Sequence, residues 1–164
     1  MKLQNLEDLY VDLLKDLYSA EQQLIKALPK MAAAAHSSDL RRGFEEHLRQ
    51  TQQQAERIER IFSERANGSP GGKKCRGMEG LIEEGSELMK EAGDTEALDA
   101  GLIAAAQKVE HYEISSYGTA RAWARKLGFG EAARLLQETL DEEARTDEKL
   151  TQLAESHINQ QAER

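Results

Sequence analysis

The sequence predicts an all-α protein that folds as a four-helix bundle. Of its 164 residues, 32% are charged, 5% are aromatic and only two are prolines, a composition that favours long amphipathic helices over sheets. Apolar residues recur at spacings of three, four and seven in four long segments, which is the period of one helical face. A glycine-rich break at residues 68–72 separates the first two segments from the last two. Because this length is typical of one domain, residues 1–164 are expected to form a single domain.

The first two helices are expected over about residues 5–35 and 39–65. Asn5 is the predicted N-cap of the first helix, because its side-chain oxygen can accept a hydrogen bond from a free amide of the first turn. Pro29 lies within this helix and is expected to kink its last turns or to end it. The start of the second helix has three candidate capping residues, Ser37, Ser38 and Asp39.

Three further helices are expected after the glycine-rich break, over about residues 76–91, 95–127 and 130–158. The first of them is a short amphipathic segment inside a connection of about thirty residues. A connection of this length can travel the full length of a bundle, whereas a tight turn joins antiparallel neighbours. Two helices, a long crossover and two more helices are the connectivity of ferritin-like bundles.

Polar residues interrupt the apolar stripe of each long helix near its midpoint. In chain order they are Glu21, His47, Gln54, Glu110, Glu113, Glu143 and Asp147. Midpoints of antiparallel helices of similar length lie at one level, so these side chains are expected to meet in one layer. Burying several carboxylates together is costly unless cations neutralise them. The pattern predicts a site for two divalent metal ions, and oxygen ligands with one imidazole suit iron or manganese.

A structural alternative stays open for this layer, namely a hydrated or salt-bridged polar network without metal. A single glutamate in an apolar stripe is more often a boundary residue whose carboxylate reaches solvent, and only its recurrence in four helices favours metal. Helical register allows one member of the Glu142–Glu143 pair to face inward, so Glu142 is expected to be solvated. His111 adjoins Glu110 but points about 100° away around the helix, so it is expected at the surface or in an interface.

Charge and hydropathy argue against several classes of partner. The chain carries 22 basic and 30 acidic residues, a formal net charge of -8, which repels the phosphates of nucleic acids. No apolar run approaches the roughly 18 residues that a membrane span requires. The N-terminus lacks a signal-peptide pattern, and the single cysteine has no intramolecular disulfide partner. A cytoplasmic protein that binds neither nucleic acid nor membrane is therefore expected.

Catalytic motifs of other kinds are missing from the sequence. It contains no Ser/His/Asp set and no glycine-rich phosphate loop, which argues against hydrolysis. Lys73 and Lys74 precede Cys75 and could lower the pKa of its thiol. Without a nearby histidine or a second cysteine, Cys75 is nevertheless a poor redox candidate.

Four stretches of the sequence closely resemble the bacterial YciF/YciE-like stress proteins of the ferritin-like superfamily. They are DLYSAEQQL at 16–24, GMEGLIEEG at 77–85, LIAAAQKVEHYEISSYGT at 102–119 and LLQETLDEEARTDEKLTQLA at 135–154. The similarity covers nearly the whole chain. It implies a ferritin-like bundle, a homodimer, a cytoplasmic setting and an association with stress responses, but no settled activity.

The resemblance also implies a set of metal ligands. By position, the ligands suspected in the family fall on Glu21, Gln54, Glu113, Glu143 and Asp147, with Glu110 and His47 close by. One departure concerns Gln50, where relatives tend to carry a glutamate, and an amide is a neutral and poorer ligand. The Glu-x-x-His motif of ferritins is also absent from the second and last long helices. Both departures weaken the case for a second ion and for redox chemistry.

Two functions therefore remain open. The first is a di-iron or di-manganese protein that binds metal and consumes peroxide or oxidises Fe(II), with a small-molecule oxidant as its partner. The second is a non-catalytic stress protein whose polar layer is structural and which acts through dimerisation or an unknown partner.

Overall fold

The computed structural model describes residues 3–64, 68–91 and 93–163. Within these ranges the chain forms helices and connections but no strand. The helices are α1 (Leu6–Ala34), α2 (Ser38–Glu64), α3 (Arg76–Glu91), α4 (Thr95–Lys126), α5 (Gly130–Leu153), a π-helical turn (Ala154–Ile158) and the short α6 (Asn159–Ala162). The predicted all-α bundle with a short helix in its crossover is confirmed, and α1, α2, α4 and α5 are its four long helices.

One helix differs in extent from the sequence-based expectation, and the helix end that was allowed at Pro29 does not occur. Pro29 neither ends α1 nor stops its hydrogen-bonded turns, which continue to Ala34. The helix continues because Met31 and Ala32, beyond the proline, are buried in the core, and this burial offsets the lost backbone hydrogen bond. The last helix was expected to run unbroken to residue 158, but a π-helical turn interrupts it at Ala154–Ile158. Position 65, the expected end of the second helix, lies outside the described residues.

The helix ends are held by short polar side chains. Asn5 Oδ1 accepts a hydrogen bond of 2.9 Å from the amide of Asp8, which confirms the predicted cap of α1. The buried carboxylate of Asp99, in the first turns of α4, accepts hydrogen bonds of 2.7 Å from the amides of His36 and Ser37. Asp99 therefore ties the α1–α2 connection to α4. This contact fixes the positions of α1, α2 and α4 relative to one another along the bundle axis.

The core consists of two apolar clusters with a polar layer between them. One cluster contains Leu24 of α1, Phe44 of α2 and Leu150 of α5. The other contains Leu17 of α1 and Leu136 of α5. In both α1 and α5 the buried glutamate, Glu21 or Glu143, falls between the residues of the two clusters, so apolar side chains exclude water from both sides of the layer.

The crossover helix α3 is anchored close to α1 and α4. A side chain at Gly77 would bring Cβ to 2.8 Å from the ring of Tyr112, and one at Gly101 would bring it to 2.6 Å from Leu88. These two glycines therefore permit the close approach of α3 and α4. Across the described ranges, none of the helices has the length and hydrophobicity needed to cross a membrane.

Cys75 does not have the reactive environment that its neighbouring lysines suggest. Its side chain is fully buried, its sulfur lies 3.0 Å from the hydroxyl oxygen of Tyr112, and burial raises the pKa of its thiol. Lys73 and Lys74 instead pair with Asp12 and with Glu79. The expectation of a lowered thiol pKa is therefore wrong, because both ammonium groups point to carboxylates rather than to the sulfur.

Candidate metal centre

A layer of buried polar side chains crosses the bundle between the two apolar clusters. Glu21, Gln54, Glu110, Glu113 and Glu143 have no exposed surface, and His47 is 2% exposed. These are six of the seven side chains selected from the sequence, and they come from all four long helices. The helical period therefore identified these six inward-facing residues, although it also selected Asp147, which is not buried.

Four of these residues form a compact group, defined by His47, Glu110, Glu113 and Glu143. One ligand atom of each lies within 4.8 Å of the others. With metal–ligand bonds of about 2.0–2.6 Å, two ligand atoms of one ion are at most about 5 Å apart. The four-residue group therefore has the dimensions of a single metal site.

The imidazole of His47 lies between two of the carboxylates. Its Nδ1 is 3.2 Å from Glu110 Oε1, and its Nε2 is 3.8 Å from Glu143 Oε2. Neither contact has the geometry of a hydrogen bond, since both nitrogens are without a hydrogen-bond partner. The ring is thus held by packing, with its lone pair and N–H directed at acidic groups.

Glu21 borders the four-residue group from α1. The hydroxyl of Tyr117 donates a hydrogen bond to Glu21 Oε1, whereas Glu21 Oε2 has no partner. The carboxylates of Glu143 and Glu113 both act on the pKa of Glu21, so the three acidic groups are neighbours. Glu21 therefore lies beside the four-residue group within the polar layer.

Gln54 joins the layer as a hydrogen-bond donor. Its Nε2 donates to Glu143 Oε1 and, over 3.0 Å, to Glu142 Oε2, and its Oε1 has no partner. The free amide oxygen is the atom that can serve as a neutral ligand.

Glu142 is largely enclosed and paired rather than free in solvent, contrary to the expectation from helical register. Its side chain is 16% exposed, and both of its oxygens accept hydrogen bonds from the guanidinium of Arg57, over 2.8 and 2.7 Å. Arg57 lies one turn beyond Gln54 on α2. No sequence pattern indicated this pair, because a glutamate outside the layer can equally be solvated.

Asp147 lies at the edge of the layer rather than inside it. Its side chain is 22% exposed, and its Oδ2 is 3.1 Å from Nε2 of His111. Its Oδ1 accepts a hydrogen bond from Gln107. The imidazole of His111 is 68% exposed, so its predicted surface location is confirmed. The role of Asp147 as a ligand stays a prediction, because its oxygens are engaged by α4 side chains.

Gln50, where relatives were expected to carry glutamate, is half-buried beside the layer. Its Oε1 accepts a hydrogen bond of 3.2 Å from the hydroxyl of Thr146. The side chain therefore links α2 to α5 and does not belong to the four-residue group.

The layer concentrates buried lone pairs that lack hydrogen-bond partners. Among the described residues, the atoms concerned are Glu21 Oε2, both nitrogens of His47, Thr51 Oγ1, Gln54 Oε1, both oxygens of Glu110 and of Glu113, and Glu143 Oε2. Buried polar atoms are normally hydrogen-bonded, because an unpaired one costs about 1–3 kcal/mol. These oxygen and nitrogen atoms lack hydrogen-bond partners and lie together in a layer that excludes water, so they can serve as the ligands of a metal ion.

The protonation of the layer follows from its burial. Burial raises the pKa of Glu110 and Glu113 well above the ordinary range, and neighbouring carboxylates raise it further. Burial would also raise the pKa of Glu143, but the neighbouring carboxyl group of Glu110, which can share a proton with it, and the imidazole of His47 leave this pKa lowered. Burial lowers the pKa of His47. Without a cation the layer therefore retains protons around one charged carboxylate, and binding of a divalent ion would displace them.

The chain is similar to proteins of one family. Residues 5–163 match the family DUF892, which is described as a domain of unknown function. Protein YciF of Escherichia coli strain K12 is 48% identical over 163 residues, which are 99% of this chain and 98% of that protein. The resemblance inferred from the four sequence stretches is thereby confirmed.

Solved structures have the same fold. The crystal structure of the E. coli stress protein YciF matches with a TM-score of 0.92, 48% identity and coverage of 96% of this chain and 99% of that one. YcfI from Rhodopseudomonas palustris, described as a candidate structural protein, matches with a TM-score of 0.88, 44% identity and coverage of 92% and 95%. A Xanthomonas campestris protein that is 24% identical matches with a TM-score of 0.73 over 94% of each chain, which shows a shared fold alone.

Proposed function

The chain belongs to the DUF892 family of YciF-like proteins, and on this premise we propose that it is a metal-binding protein of the stress response. Its buried layer would hold a carboxylate-bridged pair of divalent ions, iron or manganese. The observation that supports this proposal is the set of buried donor atoms without hydrogen-bond partners, gathered from four helices.

Each residue of the layer has a proposed role. His47, Glu110, Glu113 and Glu143 are the ligands of the first ion, because their donor atoms already lie within 4.8 Å of one another. Glu21 and the free oxygen of Gln54 would complete the coordination of a second ion. Glu113 and Glu143 would be the carboxylates shared by the two ions, because both belong to the four-residue group and both interact with Glu21.

Iron or manganese bound here would supply electrons to a small oxidant such as peroxide, which would be reduced as bound Fe(II) or Mn(II) is oxidised. The chain's own contributions are to exclude water with two apolar clusters, to keep Glu143 charged and to hold Glu21 through Tyr117. A relative of this chain is described as a stress protein, which supports a role under stress. A cytoplasmic setting and a homodimeric assembly are part of the proposal.

Metal content of two charge-neutralising variants tests the proposal. Glu113→Gln and Glu143→Gln each remove an anionic bridge that an amide cannot replace, so bound iron or manganese should fall sharply relative to the parent. Glu56→Gln is the matched control, since Glu56 is exposed on α2. The measurement is elemental analysis of protein purified from cells grown with each metal in turn. Unchanged stoichiometry in both variants would refute the metal site.

A second candidate function is a structural layer without metal, in a protein that acts through dimerisation or another partner. The raised pKa values of Glu21, Glu110 and Glu113 favour it, because protonated carboxylic acids can hydrogen-bond to Glu143 without a cation. On this view the native protein contains no stoichiometric metal, and a chelator leaves its melting temperature unchanged.

A further inference from the structure

A groove of about 700 Å³ lies between α2 and α5. Its α2 wall includes Gly43, His47 and Gln50, and its α5 wall includes Thr146 and Lys149. His47 is therefore both a lining residue of this groove and a member of the four-residue group. Its imidazole is 2% exposed, so it forms the boundary between the groove and the buried layer.

Three residues of the α2 wall lie on one helical face. Gly43, His47 and Gln50 are four and then three residues apart, a spacing that stacks side chains one above the other. A second groove, between α1, α3 and α4, is lined mainly by apolar side chains and includes no residue of the polar layer. The α2–α5 groove is thus the better route from solvent to the layer.

Gly43 keeps the groove open. A Cβ at this position would meet no heavy atom within 4 Å, so no close helix contact requires glycine here. Glycine in a helix interior is less stable than alanine, and neither a turn nor a positive φ compensates for this at Gly43, which lies inside α2. The missing side chain leaves free volume one turn before His47.

The lining of the groove combines charged side chains with the apolar Phe44, Leu150 and Leu153. It carries three acidic and three basic side chains: Asp39, Glu45, Glu46, Arg42, Arg49 and Lys149. Two polar contacts cross it from α5 to α2, one from Lys149 to Glu46 over 3.1 Å and one from Thr146 to Gln50 over 3.2 Å. A hydrated cation in this groove can therefore contact polar side chains, and the acidic and basic groups of the walls balance one another.

We propose that the α2–α5 groove is the access route of hydrated divalent cations to the carboxylate layer, and that His47 is the first ligand they meet. This inference rests on the metal centre proposed above. It adds that ions enter laterally, past Gly43, and not through the ends of the bundle, where the two apolar clusters lie.

The test compares the kinetics of Co²⁺ binding in the parent and in Gly43→Phe. A phenyl ring at this position occupies the groove without replacing any residue of the layer, so the association and dissociation rates should both fall at least tenfold. The dissociation constant and the stoichiometry should stay within a factor of two. Gly80→Phe is the matched control, because Gly80 is an exposed α3 position where a Cβ also meets nothing within 4 Å. An unchanged association rate in Gly43→Phe would overturn the route.

A second readout needs no metal. Diethyl pyrocarbonate acylates accessible imidazoles, and peptide mass spectrometry follows His47 and the exposed His111 in the same metal-free sample. In the parent, His47 should react measurably but more slowly than His111. In Gly43→Phe the rate at His47 should fall at least tenfold while that at His111 is unchanged. A parent in which His47 stays unmodified after His111 is fully modified would show that the groove is closed.

The two readouts separate the route from the metal centre. If the parent binds no Co²⁺, the metal centre fails, and the inference about cations fails with it, whatever the reactivity of His47. If Co²⁺ binds and Gly43→Phe alters neither rate, only the route fails. Should Gly43→Phe not fold, as judged by circular dichroism, Gly43→Leu replaces it and the reactivity of His47 in the parent remains decisive.

Discussion

The hydroxyl of Tyr117 on α4 donates a hydrogen bond to Glu21 Oε1 on α1, which joins two bundle helices inside the polar layer. Both side chains are fully buried. Burial raises the pKa of Tyr117 well above its ordinary range, so the phenol remains protonated and keeps its proton for the hydrogen bond to Glu21. The bond occupies one carboxylate oxygen and leaves Oε2 available.

Tyr117→Phe should weaken metal binding without abolishing it. Loss of one donor to a buried carboxylate corresponds to about 1 kcal/mol, or roughly fivefold in affinity. The number of ions per chain should stay the same, because no ligand is removed. Titration with Co²⁺ measures both quantities. Tyr18→Phe is the control, since Tyr18 donates to Glu59 outside the layer, and an equal loss in both variants would count against a positioning role.

The stability of the metal-free protein should respond to Glu113→Gln in a pH-dependent way. The pKa of folded Glu113 is raised well above its unfolded value of about 4.5, so the folded state binds more protons than the unfolded state over the interval between the two pKa values. The free energy of unfolding therefore decreases as pH rises through this interval. The glutamine variant resembles the protonated acid and does not titrate.

The expected result is a stability advantage of metal-free Glu113→Gln over the parent that is small near pH 5 and grows toward pH 8. Urea denaturation at several pH values, with a chelator present, measures it. The lowered pKa of His47 has the opposite effect on stability, but it is present in both proteins and largely cancels from the difference. An advantage that shrinks with rising pH would contradict the raised pKa of Glu113.

Arg57→Met should destabilise the fold by leaving Glu142 without its partner. The guanidinium and the carboxylate are 19% and 16% exposed, between the surface and the interior, and removal of one partner should cost about 1–2 kcal/mol. The double variant Arg57→Met/Glu142→Met should recover part of this loss. Arg60→Met, which breaks exposed pairs with Glu64 and Glu131, should have little effect. A double-mutant cycle measured by urea denaturation gives the coupling free energy between Arg57 and Glu142. Strictly additive effects of the two substitutions on the free energy of unfolding would contradict this prediction.

Gln50→Glu should increase the occupancy of the second ion and any consumption of peroxide. The side chain is half-buried beside the layer, and its oxygen already accepts a hydrogen bond from Thr146, which a carboxylate can accept equally. Elemental analysis of metal per chain tests this prediction. Gln53→Glu places the same charge on an exposed position of α2 and should change nothing. Equal metal content in parent and Gln50→Glu would mean that position 50 does not reach the site.

A homodimer is expected from the family resemblance and from the apolar side chains of α3. Leu81, Ile82 and Met89 are only partly buried and line a groove with little polar surface between α1, α3 and α4. Light scattering at micromolar concentration should give twice the mass of the chain. A monomeric mass would contradict this prediction.

Local pattern determined a large part of this protein. The 3.6-residue period identified Glu21, Glu113 and Glu143 as inward-facing, because the side of a helix on which a residue lies depends only on its neighbours along the chain. The cap at Asn5 could be predicted for the same reason, since its side-chain oxygen accepts a hydrogen bond from an amide in the first turn of the same helix. Similar midpoints then suggested one layer.

Only the tertiary structure decided how the side chains pair. Glu142 and Arg57 are 85 residues apart in the chain, and whether the carboxylate meets solvent or a guanidinium depends on the rotation of α5 against α2. The same holds for Asp147, which His111 and Gln107 hold at the edge of the layer, and for Asp99, which binds the amides of His36 and Ser37. These contacts depend on shifts of a few ångström between packed helices. Helical periodicity specifies a face but not the height or angle at which two faces meet.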